Sequence, residues 1–226
     1  MRNSTYAIAG IISVCAIALS APAAYAMGSN ERPACDFKMA GHTASRTIAW
    51  DGSDTVGISG SADVRYTHGV GDSVTISGDA NQIQHMQVRD GNIEMDCRGW
   101  YHGDRMTITL PGRNFSKFSL AGSGSMLLNG IDQPTLRLDV AGSGDITANG
   151  KTQNLEISIA GSGQMHLGKL AVTDATVSVA GSGDTEIAPS GKLAVEIAGS
   201  GRVRLLNEPK HIETHIAGSG EILHGQ

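Results

Sequence analysis

The chain repeats the tetrad Ala-Gly-Ser-Gly six times in its second half, at intervals of 18 to 20 residues. The tetrads begin at Ala121, Ala141, Ala160, Ala180, Ala198 and Ala217. A unit of about 19 residues is too thin to enclose a core of its own, so successive units must stack on one another. The period therefore restricts the chain to a stacked-repeat architecture.

Apolar residues alternate with polar residues on both sides of each tetrad. Leu136, Leu138 and Val140 precede the second tetrad, and Ile146 and Ala148 follow it. A period of two predicts strands with one buried face. Because no helical pattern separates these strands, we predict an all-β, single-domain parallel β-solenoid in which equivalent residues of neighbouring coils lie about 4.8 Å apart.

Alternation continued through the tetrad assigns a direction to each of its residues. If the alternation continues from Val140 to Ile146, Gly142 and Gly144 point inward and Ser143 points outward. Glycine suits a position where a coil turns sharply or approaches the opposite wall, since it lacks a Cβ and tolerates positive φ. We therefore predict that the tetrads are structural corners and that their serines form an exposed row. The corner glycines are Gly122, Gly124, Gly142, Gly144, Gly161, Gly163, Gly181, Gly183, Gly199, Gly201, Gly218 and Gly220.

A glycine-rich ligand loop is the alternative interpretation of the tetrad. A dinucleotide-binding loop requires a third glycine and a following helix, and neither follows Gly142 and Gly144. The segment ending in Gly150-Lys151-Thr152 has its upstream glycine one residue too far away for a phosphate-binding loop, and the motif G-x-S-x-G does not occur. We therefore predict no cofactor, no catalytic residue and no metal ligand.

The residue that follows each tetrad varies and describes the surface. This row reads Ser125, Asp145, Gln164, Asp184, Arg202, Glu221. Asp184 and Arg202 fall on neighbouring coils, which predicts an exposed ion pair. Asp145 and Asp184 would lie roughly 9 to 10 Å apart, near the carboxylate separation of inverting glycosidases, but Gln164 stands between them. The two outward histidines of the last repeat, His211 and His215, would lie about 13 Å apart, too far to share a metal.

Residues 1–26 have the order of a secretory signal peptide. Arg2 precedes an apolar run, and Ala24-Tyr25-Ala26 forms an A-x-A site, so we expect cleavage after Ala26 and a mature domain over residues 27–226. No integral membrane segment is expected after cleavage. The mature chain would carry 16 basic and 22 acidic residues, a net charge of −6 that offers no attraction to nucleic acid. We expect a periplasmic or extracellular protein associated with the cell envelope.

Two of the three cysteines, Cys35 and Cys97, lie in the predicted mature domain. In an oxidising compartment the expected outcome is a disulfide between them. The loop that it closes would make the bond worth roughly 4 kcal/mol on the chain-entropy model.

The part of the mature chain before the tetrads, about residues 35–114, is less regular but also consists of short alternating strands. We interpret it as the opening of the same β fold, with regular repeats over about residues 115–226. Residues 55–95, the strand Ile108-Thr109-Leu110-Pro111 and the serial AGSGDI-type repeats together resemble the bacterial family called "putative auto-transporter adhesin, head GIN domain". The resemblance implies an exported all-β domain with no assigned biochemical activity and supplies no catalytic residue.

Every aromatic residue of the mature chain precedes Leu120, which makes Trp100 and Tyr101 the predicted binding patch, together with Trp50. The alternative is that these rings cap the solenoid core beside Cys97. A glycan or an envelope protein is the expected partner. The last repeat would present an open strand edge, which leaves homo-oligomerisation through the solenoid ends open.

We therefore expect an exported, adhesin-like binding or scaffolding protein without catalytic activity. A β-helical polysaccharide hydrolase or lyase is the alternative function.

Overall fold

The computed structural model describes residues 35, 38–97 and 105–225, and these form an all-β fold with one short helix. The strands are β1 (Thr43–Ala49), β2 (Thr55–Ser59), β3 (Ala62–Thr67), β4 (Ser73–Asp79), β5 (Met86–Arg89), β6 (Asn92–Met95), β7 (Met106–Thr109), β8 (Lys117–Gly122), β9 (Ser125–Gly142), β10 (Asp145–Gly161), β11 (Gln164–Gly181), β12 (Asp184–Ile187), β13 (Lys192–Gly199), β14 (Arg202–Leu205), β15 (His211–Gly218) and β16 (Glu221–His224); the helix is α1 (Ala80–Ile83). The signal peptide predicted over residues 1–26 lies outside the described residues.

The strands from β8 onward stack as parallel coils, which confirms the predicted β-solenoid. Before each tetrad, β8 pairs with the second half of β9, and this ladder continues through β10, β11, β13 and β15. After each tetrad, the first half of β9 begins a second ladder that continues through β10, β11, β12, β14 and β16. Equivalent residues align coil by coil, as in the row Val140, Ile159, Val179, Ile197 and Ile216.

The alternating apolar residues fill the interior of the coils. Leu138, Ile157 and Val177 are at most 1 % exposed and lie in register on three successive coils. Because each inward side chain stacks over its equivalent in the next coil, the core is continuous along the stack.

The two glycines of each tetrad have different environments, and the predicted direction of the first one is wrong. Gly144 is buried, as predicted, but Gly142 is exposed because the backbone turns there with φ of +117°. The first glycine of every tetrad has a φ between +117° and +133°. The second glycine lies over a side chain of the preceding coil, since a Cβ on Gly144 would lie 2.7 Å from Cδ2 of Leu120.

Coil geometry also begins earlier in the chain than the tetrads do. β2 and β3 pair in parallel with β8 and β9, so residues 55–67 form a coil within the part of the chain expected to be irregular. Its corner, residues 59–62, reads Ser-Gly-Ser-Ala. Gly60 has a φ of +107°, and Ser59 lies in register with Ala121 of the first tetrad.

Antiparallel strands cover this first coil. β6 and β7 pair in parallel with β2 and β3, whereas β5 runs antiparallel to β6, β4 runs antiparallel to β7, and β1 runs antiparallel to β4. The predicted disulfide between Cys35 and Cys97 is confirmed, with the two Cα atoms 5.3 Å apart. It ties residue 35 to the end of the segment that follows β6.

Candidate functional site

Two rows of outward side chains border an open groove of about 760 Å³ on the face formed by β9, β10, β11, β13 and β15. The first row lies six residues before each tetrad, and the second lies four residues before it. The first row comprises Thr135, Asn154, Asp174, Lys192 and His211, and the second comprises Glu156, Thr176, Ala194 and Glu213. We call this feature the polar groove.

The dimensions of the polar groove follow from the geometry of the strands. Residues two apart on one strand point to the same face, so the two rows lie about 7 Å apart. Five strands carry the first row, which gives the groove a length of about 19 Å. The floor of the groove lies between the two rows, at Leu155, Ala175 and Leu193. The side chains of these residues point into the core. The groove is therefore shallow, and its walls are polar.

Both signs of charge line the polar groove. Asp174 accepts a hydrogen bond from the backbone amide of Lys192 at 2.7 Å, and Glu156 pairs with Arg137 at 2.6 Å. Arg137 also contacts Asp139, 3.0 Å away. Among the residues that the structure describes, none forms an ion pair with the ammonium group of Lys192. The groove thus offers carboxylates, an amide, hydroxyls and an unpaired cation to a ligand.

Two backbone amides at each corner from the second tetrad onward are not available to an anion. The serine side chains of the tetrads are exposed, as predicted, but the amide of the serine and the amide of the residue after the tetrad are used between coils. The amide of Ser162 donates to the carbonyl of Gly142 at 2.8 Å, and the amide of Gln164 donates to that of Gly144 at 3.2 Å. The same pattern recurs at the following tetrads, so these amides hold one coil on the next instead of pointing at a ligand.

The row that follows the tetrads aligns as predicted and contains the predicted ion pair. Arg202 binds Asp184 through two hydrogen bonds, 3.0 Å from Nε to Oδ1 and 2.6 Å from Nη2 to Oδ2. The hydrogen bonds from the Arg202 guanidinium hold the pKa of the Asp184 carboxyl below its usual value. Gln164 is the register partner of both Asp145 and Asp184 and therefore separates the two carboxylates.

The structure places one member of the predicted aromatic patch, Trp50, in the core. Trp50 is 8 % exposed, its Nε1 donates to the carbonyl of Ser53 at 2.8 Å, and its ring meets Phe115 edge-on at 5.2 Å. This arrangement matches the alternative in which the ring caps the solenoid. Trp100 and Tyr101 lie outside the described residues.

Tyr66 belongs to the same buried aromatic cluster as Trp50. Its hydroxyl donates to the carbonyl of Arg113 at 3.0 Å, and burial raises the pKa of the Tyr66 phenol.

One group of side chains within the described part of the chain has the composition of a metal site. His85, Asp96 and Cys97 lie close together, and Nδ1 of His85 is 3.0 Å from Oδ1 of Asp96. The sulfur of Cys97 is bonded to Cys35, so it cannot coordinate a metal as a thiolate. Two side chains remain, fewer than a structural metal site requires.

Within the residues that the structure describes, no helix has the length and apolar character needed to cross a membrane.

The rows of the polar groove were not identified from the sequence, although a signal for them exists. Aligning the repeats on their tetrads places Thr135, Asn154, Asp174, Lys192 and His211 in one column, six positions before each alanine. The equivalent position before the first tetrad is Phe115, which is buried. The column is therefore polar only from the second tetrad onward, where it lies on the surface.

Comparisons with known proteins agree with this architecture. The family model "Putative auto-transporter adhesin, head GIN domain" matches residues 53–209. The crystal structure of a putative adhesin from Bacteroides fragilis NCTC 9343 is 18% identical, covers 84% of this chain and 100% of its own, and has a TM-score of 0.67. A putative lipid binding protein from Parabacteroides distasonis ATCC 8503 is also 18% identical, with 84% and 99% covered and a TM-score of 0.54. No curated protein matches the chain.

Proposed function

The chain belongs to the "Putative auto-transporter adhesin, head GIN domain" family, and from this premise we propose that it is an exported cell-envelope binding protein that has no catalytic role. The disulfide between Cys35 and Cys97 supports export, because such bonds persist in oxidising compartments. The leader pattern in residues 1–26 supports the same route.

The polar groove carries the proposal for the binding site. Its two rows form a track about 19 Å long and about 7 Å wide, which suits one extended, hydrophilic chain. Hydroxyl groups of a glycan can donate to Asp174 and accept from Lys192, and both side chains stand on rigid strands of the solenoid. We therefore assign a glycan of the cell envelope as the ligand.

The carboxylates of the groove support binding without catalysis. A glycosidase needs two carboxyl groups in different roles, one of which acts as a protonated general acid. An apolar pocket keeps that carboxyl group protonated. Glu156 is instead paired with Arg137 at 2.6 Å, and Asp174 accepts the backbone amide of Lys192 at 2.7 Å. Both carboxylates therefore face polar partners, which is not the apolar surrounding of a glycosidase acid.

A glycan array probed with the full chain, followed by calorimetry on the best oligosaccharide, tests this function. We expect Lys192→Glu to weaken binding at least about tenfold, because a hydrogen-bonding cation is replaced by an anion beside Asp174. Lys169→Glu is the matched control, since Lys169 is an exposed lysine of β11 that does not line the groove. Equal binding by both variants would contradict the assignment of the groove. Loss of binding in Trp100→Ala alone would move the site to the predicted aromatic patch.

A further inference from the structure

The strand β15 ends the described stack of coils with its apolar row uncovered. Every residue of β15 is exposed, and Ile212 and Ile216 are each 44% exposed. Their register partners in β13, Leu193 and Ile197, are each only 2% exposed because β15 lies against them. Among the residues that the structure describes, β15 pairs with β13 alone, so its outer edge faces no strand.

The backbone of β15 directs alternate residues toward this open edge. The amide of His211 donates to the carbonyl of Gly191 in the preceding coil at 3.2 Å. Residues of a parallel strand alternate in the direction of their hydrogen bonds, so the other odd-numbered residues also bond back to β13. Ile212, Thr214 and Ile216 therefore present their N–H and C=O groups outward, as a template for another strand.

A second copy of β15 can add to this edge in antiparallel orientation about a two-fold axis, but few registers are acceptable. A register that places an inward residue opposite an outward one would expose the apolar row, which excludes half of the registers. An axis through Glu213 sets that carboxylate opposite its own copy, and like charges directly opposite each other destabilise a pair of strands. An axis through His215 places Ile212 opposite Gly218 and Ile216 opposite Thr214, so the isoleucines of the two copies do not meet. An axis through Ile212 overlaps only three residues of β15 and leaves Ile216 uncovered.

An axis through Thr214 satisfies every requirement. It pairs the strand from His211 to Ala217, places Glu213 opposite His215 twice on the outer face, and places Ile212 opposite Ile216 twice on the inner face. His215 would then lie between Glu213 of the second copy and Glu196, its register partner in β13. We propose that a second copy of this chain docks on β15 in this register and forms a dimer with a continuous sheet.

The dimer would join the polar grooves of the two copies. His211 and Glu213 line the end of the groove and also belong to the proposed interface. Because the outward rows of both copies would lie on the same face of one sheet, the two grooves would meet at the two-fold axis. The inference does not depend on the glycan proposal, since it follows from the edge geometry and the charges of β15.

Disulfide cross-linking between two variants of the full chain tests the register, each with one cysteine added to a Cys15→Ser background that keeps the Cys35–Cys97 disulfide. Glu213→Cys and His215→Cys, mixed under mild oxidation, should form a cross-linked heterodimer on a non-reducing gel, because opposite residues in such a pair lie within disulfide reach. The second Glu213 to His215 pair stays intact in that heterodimer. Neither variant alone should cross-link.

Each other outcome of the mixing experiment contradicts the proposal. Self-cross-linking of Glu213→Cys or of His215→Cys would place the axis on that residue. No cross-link in the mixture, with both variants folded by circular dichroism, would show that β15 does not pair in this way. Wild-type chain that sediments as a monomer throughout a dilution series would also overturn it.

A charge swap provides a second test that does not involve cysteine chemistry. Glu213→Lys should weaken the dimer at least about tenfold in sedimentation equilibrium, since a cation then faces His215. The double variant Glu213→His with His215→Glu, made in a Glu196→Gln background so that the new carboxylate at position 215 does not face a second carboxylate in β13, should restore dimerisation, because the swapped residues again face each other across the axis. A double variant as weak as the single one would rule out this register.

Discussion

Each corner of the solenoid places two glycines under different physical constraints. Gly181, the first glycine of its tetrad, has a φ of +128°, and a Cβ there would meet the carbonyl oxygen of Gly161. Gly183, the second, would bring a Cβ within 2.6 Å of Cγ2 of Ile159. Ser182 between them is exposed and donates its backbone amide to the carbonyl of Gly161 at 2.8 Å. The glycines are therefore required by conformation and packing, whereas the serine side chain is not.

Replacing Gly181 should cost much more stability than replacing its neighbour. We expect Gly181→Ala to lower the free energy of unfolding by at least about 2 kcal/mol, because a side chain at positive φ is strained and the Cβ meets backbone of the preceding coil. Ser182→Ala should stay within about 0.5 kcal/mol of the wild type, as exposed substitutions do. Urea unfolding measures both, and equal values would mean that the first glycine is not needed for the corner.

The first coil and its antiparallel cover depend on one aromatic cluster. Phe115 is fully buried and contacts three other rings, with centroid distances of 5.2 Å to Trp50, 5.9 Å to Tyr66 and 5.6 Å to Phe118. All four rings lie edge-on to the rings that they meet, the arrangement that aromatic pairs prefer. No Phe, Tyr or Trp follows Phe118, so the later coils contain no aromatic ring of this kind and the cluster stabilises the start of the stack.

Loss of Phe115 should therefore loosen the start of the stack before its end. We expect Phe115→Ala to cost about 3 to 5 kcal/mol, as truncation of a buried phenylalanine does. In hydrogen exchange, amides of β2, β3 and β8 should exchange faster while those of β13 and β14 stay protected, because a coil contacts only its neighbours. Leu127→Ala, at an outward position that is 39% exposed, is the control. Equal acceleration in all strands would argue against local coupling.

At the scale of the whole molecule, the solenoid is a stack of coils in which each coil makes similar contacts with the next. The row Val140, Ile159, Val179 and Ile197 continues in register from β9 to β13, each residue being aligned with its equivalents on the neighbouring coils. A stack of this kind has stability that is approximately additive over its repeats. Its length can therefore change by whole coils without a change of fold.

Removal of one complete coil should leave a folded protein. Deletion of residues 142–160 joins Ala141 to Gly161 and removes one period, so the corners and the inward rows stay aligned. We expect cooperative unfolding by circular dichroism, with a free energy of unfolding lower by about 1 to 3 kcal/mol, in proportion to the residues removed. Deletion of residues 151–160, half a period, is the control and should abolish folding because it moves the next corner into a strand. A folded half-coil deletion would contradict the stacking argument.

The sequence by itself determined the period, the inward alternation, the exposed serines, the ion pair of Asp184 with Arg202 and the disulfide. The period, the alternation and the exposed serines follow from residues that recur at a constant spacing. The ion pair and the disulfide each join two groups that have no other expected partner, so simple chemistry predicts them. The same local pattern was misleading at Gly142, because a single backbone turn changes the direction of the next residue.

Only the tertiary structure decided which strands are neighbours. The corner at Gly60 belongs to the stack because β2 pairs with β8, across an insertion that contains the antiparallel cover. Trp50 is buried because Phe115, far away in sequence, lies against it. The polar groove and the open edge of β15 likewise arise from pairings between separate coils. The alternation of apolar and polar residues predicts which face of a strand is buried. Pairing between segments that are distant in sequence decides which strands lie beside that strand.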